Sequence, residues 1–203
     1  MGVAGYNHQS HQETRMNRRY SSFVLAKVFA SKASMWLCLL LAVAAMPAMG
    51  YELTGKVIRV ADGDTITLRN DNGNHRIRLA SIDAPETGSG GDRPGQPYGN
   101  ASRKFLAEQV AGKTLTLECF EADRYGRHIC DVPLGDYTAN QMLVFAGMAW
   151  ANRQGKDKYL RDRSLLALQE DAQDNKRGLW VEPNPVAPWQ WRYDCWRQGK
   201  CAP

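Results

Sequence analysis

Apolar and polar residues alternate after position 50 in a pattern that predicts β-strands. Aliphatic side chains flank the dipeptide Asp62-Gly63, which suits a tight hairpin turn: Val57, Ile58, Val60, Ile66 and Leu68. A turn signal at residues 70–74 leads into residues 75–79, where two arginines alternate with two aliphatic residues. Because neighbouring side chains of a strand point to opposite faces, Arg76 and Arg78 share one face of this strand.

Two further strands are predicted at residues 115–120 and 129–132, joined through the charged segment 123–127. A loop rich in Gly and Pro covers residues 87–99 and precedes a short helix at residues 101–110. The first half of the mature chain is therefore predicted to be mainly strand.

The second half is predicted to be helical. Thr138 can cap a helix that ends at Gly147. A longer helix is expected at residues 159–175, because apolar side chains recur there at helical spacing and residues 176–178, Lys-Arg-Gly, are a stop signal. Five strands with about three helices predict an α+β fold, a five-stranded β-barrel of the OB type with helical packing.

The first 50 residues have the pattern of a secretory signal peptide. Residues 35–45 are apolar and uncharged, but this run is shorter than the roughly 20 helical residues that span a bilayer. Basic residues precede the run and small residues follow it, so we expect cleavage after Gly50 and export to the periplasm or the medium. The basic region is long, and a translation start near Met16 would shorten it. The alternative is an uncleaved anchor or a buried core helix.

Removal of this leader changes the charge argument. The whole chain carries 26 basic and 21 acidic residues, a formal charge of +5, which favours an anionic partner such as nucleic acid. Five of the basic residues and one of the acidic residues lie in the leader, so residues 51–203 are nearly neutral. A nucleic-acid interaction therefore has to rest on local clusters. We expect residues 51–182 to form the barrel domain and residues 183–203 a tail containing Pro, Trp and Cys.

Three short segments carry such clusters. Residues 62–65 place two carboxylates in a turn, and residues 78–86 bring one guanidinium and two carboxylates together around Pro85. Residues 123–127 add two cations and an aromatic ring at a hairpin. Each segment also has an ordinary structural interpretation: a plain hairpin turn, a surface salt bridge, and a solvated loop.

Together these segments contain the groups that phosphodiester hydrolysis needs. Asp64 and Asp83 can hold a divalent cation through oxygen ligands, and Glu86 can position or deprotonate water. Arg78 and Arg127 can bind phosphate oxygens through two parallel hydrogen bonds. The sequence offers no competing Ser/His/Asp or Cys/His arrangement. The residues therefore indicate metal-assisted hydrolysis with a carboxylate as base.

The same residues resemble the staphylococcal (micrococcal) nuclease family. The resemblance runs from about Lys56 to Trp180 and rests on GKVIRVADGDTITL, IRLASIDAPE, PYGNASRKFL, DRYGR, LVFAGMAW and KRGLW. It implies an OB-fold barrel and a calcium-dependent endonuclease that acts on DNA and RNA and leaves 3′-phosphate ends.

The resemblance also implies roles for individual residues. The implied calcium ligands are Asp64, Asp83 and the backbone carbonyl of Ala84. The implied catalytic residues are Arg78, Glu86 and Arg127. Arg124 and Tyr125 match positions that would contact a terminal phosphate of the substrate.

Four cysteines follow the leader, an even number that suits an oxidising compartment. If Arg127 closes the hairpin as the resemblance implies, Cys119 and Cys130 face each other on adjacent antiparallel strands, within disulfide range. Cys195 and Cys201 would then pair locally in the tail. The alternative is that the first pair packs as reduced, apolar side chains.

Two classes of function stay open on the sequence alone. One is an exported, monomeric nuclease with nucleic acid as its substrate and no stable membrane insertion after cleavage. The other is a noncatalytic OB-fold module that binds nucleic acid or protein. The presence of every carboxylate and arginine of the implied site favours the enzyme.

Overall fold

The structure, a computed structural model, describes residues 50–201. Residues 1–49 lie outside the described residues. They include nearly all of the predicted signal peptide and the possible translation start near Met16. Within residues 50–201, no helix is both long and apolar enough to cross a membrane.

Five strands form a closed barrel: β1 (Tyr51–Val60), β2 (Thr65–Asn70), β3 (Gly73–Leu79), β5 (Thr114–Ala122) and β6 (His128–Asp131). Around the barrel they follow the order β1, β2, β3, β6, β5, and β5 pairs with β1 to close it. All neighbours are antiparallel except β3 and β6, which are parallel. The predicted five-stranded barrel is therefore confirmed.

Two short pairs of strands lie outside the barrel. Strand β4 (Ile82–Asp83) pairs with β9 (Trp150–Ala151), and β7 (Pro133–Leu134) pairs with β8 (Tyr137–Thr138). The first pair fixes the backbone around Asp83.

Helices cover the barrel: α1 (Gly99–Val110), α2 (Ala139–Phe145), α3 (Gln154–Asp157), α4 (Ser164–Asp174), a 3₁₀ helix (Gly178–Val181), α5 (Pro188–Trp191) and a π-helix (Arg192–Arg197). Thr138 caps α2 as expected, and it forms a reciprocal capping box with Gln141. The core between barrel and helices consists of aliphatic side chains that are fully buried, among them Ile66, Leu68, Ile77, Leu106, Leu117, Leu143 and Leu165.

Helix α4 begins later than the predicted start at residue 159. The hydroxyl oxygen of Ser81 accepts hydrogen bonds from the backbone N–H groups of Arg161 (2.8 Å) and Asp162 (3.1 Å). The Asp162 side chain then accepts from the N–H of Ser164 (2.8 Å). These long-range bonds hold residues 161–162 against the barrel, and a period-based prediction does not include them.

Two disulfides join the cysteine pairs named above. Cys119 on β5 faces Cys130 on β6 in the strand register and is bonded to it. Cys195 is buried and is bonded to Cys201, six residues on. The first disulfide links two barrel strands, and the second closes the end of the C-terminal segment.

A row of acidic side chains crosses the barrel beside this first disulfide. Glu118 faces Glu52 on one side and Asp131 on the other. Burial, followed by the charges of Asp162 and Glu118, raises the pKa of Asp131 to about 6, although Arg161 opposes this shift. Asp131 accepts a hydrogen bond from the side-chain amide of Asn140 (2.9 Å).

This arrangement predicts a pH-dependent stability. Because the pKa of Asp131 is higher in the folded than in the unfolded chain, the contribution of Asp131 to stability falls as pH rises from about 4 to about 6. Asp131→Asn keeps an oxygen acceptor for Asn140 and removes the charge, so it should raise the free energy of unfolding at neutral pH by about 1 kcal/mol, after allowance for solvent screening. The gain should vanish near pH 4. Urea unfolding at both pH values measures it.

The matched control is Asp136→Asn, since Asp136 is exposed. That change should leave the free energy of unfolding nearly unchanged at both pH values. An equal gain from Asp131→Asn at both pH values would contradict the assigned charge effect.

Candidate active site

The predicted metal ligands, together with Arg78 and Glu86, lie where strands β2, β3 and β4 meet at one end of the barrel. Asp64 ends the turn that precedes β2, and its backbone oxygen accepts the N–H of Leu79 at the end of β3 (2.8 Å). Asp62 stabilises this turn, because its side chain accepts the N–H of Asp64 (3.0 Å). The turn therefore holds Asp64 next to the β3–β4 connection.

Arg78 on β3 connects the two aspartates. One terminal nitrogen of its guanidinium contacts Asp64 Oδ1, and the other lies 2.6 Å from Asp83 Oδ1. Asp64 and Asp83 are almost completely buried, at 1% and 0% exposure. The backbone N–H of Ala84 donates to Asp64 Oδ2 (2.7 Å). The structure thus brings together Asp64, Arg78, Asp83 and Ala84.

Two glycines allow this close packing. A Cβ atom on Gly63 would lie 2.7 Å from Cβ of Ala84 and would overlap the Ser102 side chain. A Cβ atom on Gly99, at the start of α1, would overlap the backbone carbonyl of Glu86. Helix α1 and the first turn can therefore approach the 84–86 segment only because both positions lack a side chain.

An arginine that the sequence motifs do not contain also enters the site. Arg192, in the C-terminal segment, donates to Asp83 Oδ2 (2.7 Å) and Oδ1 (3.1 Å) and to Glu86 Oε1 (2.6 Å). It lies 109 residues from Asp83 along the chain. No local pattern marks this residue as functional, because the contact depends on how the tail folds back.

Charge and burial act against each other at these carboxylates. Burial alone would raise the pKa of Asp83, but Arg78 and Arg192 together hold that pKa below its usual value. At Glu86 burial outweighs the neighbouring Arg192, and the pKa of Glu86 is raised. Burial likewise raises the pKa of Asp62, against the charges of Arg78 and Arg127. Of Asp83 and Glu86, Glu86 is therefore the better proton acceptor.

Arg127 lies in the hairpin between β5 and β6 and bonds there to Asp123. Its Nε donates to Asp123 Oδ2 (2.8 Å), and its Nη2 lies 2.7 Å from the same oxygen. Among the residues that the structure describes, no ion pair joins Arg127 to Asp64, Asp83 or Glu86. Its charge opposes the rise that burial causes in the pKa of Asp62, the residue that stabilises the turn at Asp64.

The other two predicted substrate-binding residues belong to the same hairpin. The guanidinium carbon of Arg124 lies 4.8 Å from the ring centroid of Tyr125, and Arg124 donates to the Tyr125 hydroxyl (2.7 Å). Tyr125 is 60% exposed. Arg124, Tyr125 and Arg127 thus belong to one hairpin, where Tyr125 is open to solvent and Arg127 is half-buried against Asp123.

The oxygen atoms at the site suit a hard divalent cation. Two carboxylates and a backbone carbonyl are the ligand types that calcium prefers. Among residues 50–201, no cluster of three or more His, Cys, Asp or Glu side chains is arranged to hold a metal. A cation bound between Asp64 and Asp83 would therefore need a backbone oxygen, and the carbonyl of Ala84 follows directly after Asp83.

Comparisons with known proteins identify the family of the chain. Residues 76–182 match the family described as "Staphylococcal nuclease homologue". The chain is 41% identical over 156 residues to a protein named "Uncharacterized endonuclease" from Escherichia coli O157:H7. This alignment covers 76% of this chain and 95% of that protein. It is 36% identical over 151 residues to a "Micrococcal nuclease" from Shigella flexneri, which covers 70% of this chain and 81% of that protein.

These matches cover more than half of the chain and nearly all of the first relative. The barrel, its carboxylate and arginine site and the matches together show that the chain belongs to the staphylococcal nuclease homologue family. The protein is therefore a hydrolase of the endonuclease type, and the noncatalytic module is not supported.

Proposed function

We propose that the protein is a calcium-dependent endonuclease that hydrolyses phosphodiester bonds of DNA and RNA and leaves 3′-phosphate ends. The observation that carries this proposal is the convergence of Asp64, Asp83 and Glu86 at one end of the barrel, with Arg78 between the aspartates. Phosphate hydrolysis needs such a combination of acidic ligands, a base and fixed positive charge.

The proposed cation would be held by Asp64, Asp83 and the carbonyl of Ala84, and when bound it would neutralise charge on the phosphate. Glu86, whose pKa is raised by burial, accepts a proton from water. The resulting hydroxide attacks phosphorus, the bond from phosphorus to the 5′ oxygen breaks, and that oxygen leaves and takes up a proton from solvent water. The products carry a 3′-phosphate and a 5′-hydroxyl group.

The arginines stabilise negative charge in this scheme. Arg78 lies at the carboxylates and can donate to a phosphate oxygen from there. Arg127 has to turn from Asp123 toward the phosphate as charge develops on it, since its guanidinium bonds to Asp123 in the structure. Arg124 and Tyr125, on the same hairpin, would contact a terminal phosphate.

Export to the periplasm or the medium is part of the proposal. The two disulfides support it, because disulfides persist in oxidising compartments. The monomeric protein would then reach nucleic acid outside the cytoplasm.

N-terminal sequencing of exported protein should begin at Tyr51, and recovery of the intact leader in the membrane fraction would contradict cleavage after Gly50.

The role of Glu86 predicts a separation of turnover from binding. Glu86→Gln should lower kcat by about 10² to 10⁴, because it removes the proton acceptor. Arg127→Ala should lower kcat at least as much. Arg127→Lys should retain only part of the unaltered kcat, since lysine cannot donate two parallel hydrogen bonds to a phosphate. Cleavage of a fluorescent oligonucleotide gives kcat, and anisotropy gives binding, which Glu86→Gln should change little.

Two exposed residues of α1 serve as matched controls. Glu108→Gln and Arg103→Ala make the same changes of charge away from the site and should cleave at the rate of the unaltered protein. If Glu86→Gln and Arg127→Ala also cleave at that rate, the assigned catalytic roles are wrong.

The metal site predicts a dependence on calcium. Asp64→Ala should weaken calcium binding, measured by titration calorimetry, and lower activity with it, because ligand number and charge set the affinity. Chelation should abolish cleavage of single-stranded DNA, duplex DNA and RNA, and added calcium should restore it. End-labelling before and after phosphatase treatment identifies the 3′-phosphate. Full activity in chelator would overturn the calcium dependence.

A further inference from the structure

The C-terminal segment is anchored on both sides of Arg192. Before it, Trp191 is 6% exposed, and the side chain of Gln96 donates to the carbonyl of Val186. After it, Cys195 is buried, and the indole N–H of Trp196 donates to the carbonyl of Pro94 (3.0 Å). The backbone at Arg192 is therefore held over the site, and its long side chain is the part that can leave without unfolding the segment.

The contacts of Arg192 use the oxygens that a cation would need. Asp83 Oδ1 accepts from both Arg78 (2.6 Å) and Arg192 (3.1 Å), which uses both of its lone pairs. Asp83 Oδ2 accepts from Arg192 (2.7 Å), and Glu86 Oε1 accepts from Arg192 (2.6 Å). One guanidinium therefore bonds to a proposed metal ligand and to the proposed base at the same time.

A divalent cation and Arg192 cannot both keep these positions at low cost. They carry charges of the same sign, they would lie within a few ångströms of each other, and the site is buried, where charges are screened little by solvent. Calcium also takes six to eight oxygen ligands and so competes for the lone pairs that Arg192 occupies. Arg78 also bonds to oxygens of Asp64 and Asp83, but it does so from a barrel strand, whereas Arg192 reaches Asp83 and Glu86 from the C-terminal segment.

We propose that Arg192 is an internal cation that competes with calcium for Asp83 and Glu86. The C-terminal segment thereby sets the calcium concentration at which the site fills, and the Arg192 side chain leaves Asp83 and Glu86 when the cation binds. This inference rests on the proposed calcium-dependent function. The apparent dissociation constant for calcium equals the intrinsic constant divided by the fraction of molecules in which Arg192 is displaced.

The test measures calcium affinity in the full exported protein, by titration calorimetry and by terbium luminescence sensitised by tryptophan. Arg192→Gln removes the competitor, so it should tighten calcium binding by about tenfold or more, since the displaced fraction is then no longer limiting. Arg192→Lys keeps the charge but cannot form two parallel hydrogen bonds. Its calcium affinity should lie between those of the unaltered protein and Arg192→Gln.

The matched control is Arg197→Gln, an equal change of charge at an exposed position of the same π-helix. It should change the affinity by less than about twofold, because exposed charges are well screened. The measurements are made at about 0.15 M and about 0.5 M KCl, since high salt removes long-range effects of charge but spares a direct contact.

Three results would overturn the inference: unchanged or weaker binding in Arg192→Gln, an equal gain in Arg197→Gln, or a gain that disappears at high salt. If neither the unaltered protein nor Arg192→Gln binds calcium, the proposed metal-dependent function itself fails. A merely structural role for Arg192 would lower stability without tightening calcium binding.

A second measurement covers the case in which Arg192→Gln does not fold. Arginine side-chain NMR of the unaltered protein, with Arg192 assigned through Arg192→Lys, should show the Arg192 N–H signals moving to faster solvent exchange as calcium is added. Signals that stay protected at saturating calcium would also overturn the competition.

Discussion

The structure depends on one charged contact, the guanidinium of Arg78 between the buried carboxylates of Asp64 and Asp83. Burying two carboxylates side by side costs free energy unless a cation compensates them. Arg78 supplies that compensation from β3, where it is in register with Thr65, the residue after Asp64. The barrel register therefore determines whether the acidic residues can share a site.

The packing around this contact follows from it. Because both aspartates are in place at the barrel end, the 84–86 segment lies close against the first turn and α1, and the missing side chains of Gly63 and Gly99 make room. Strand β4 pairs with β9, which ties the segment to the second half of the chain. The backbone of Glu86 is held in turn by Gln96, whose N–H donates to the Glu86 carbonyl (2.8 Å), and its side chain by Arg192.

Much of the barrel could be predicted from local sequence, and the reasons are physical. The turn at Asp62-Gly63 and the alternation around Arg78 depend on neighbouring residues alone, and both appear where expected. The start of α4 does not appear where local sequence predicts it. Ser81 accepts a hydrogen bond from Arg161, eighty residues further along the chain and just before this helix. The bond from Arg127 to Asp123 shows a further limit, since a motif names the residue but not its partner in the folded chain.

Arg192 is the clearest case of a contact that sequence patterns cannot predict, and it also decides the charge of the site. The contacting cluster holds three carboxylates, Asp64, Asp83 and Glu86, against two guanidiniums, so its formal charge is minus one. Without Arg192 the charge becomes minus two, which a divalent cation balances. Arg127 could then balance the single negative charge of a phosphodiester once its guanidinium had left Asp123. In the proposed mechanism each arginine has a different role: Arg78 would hold the ligands together, Arg192 would take the place of the cation, and Arg127 would contact the substrate.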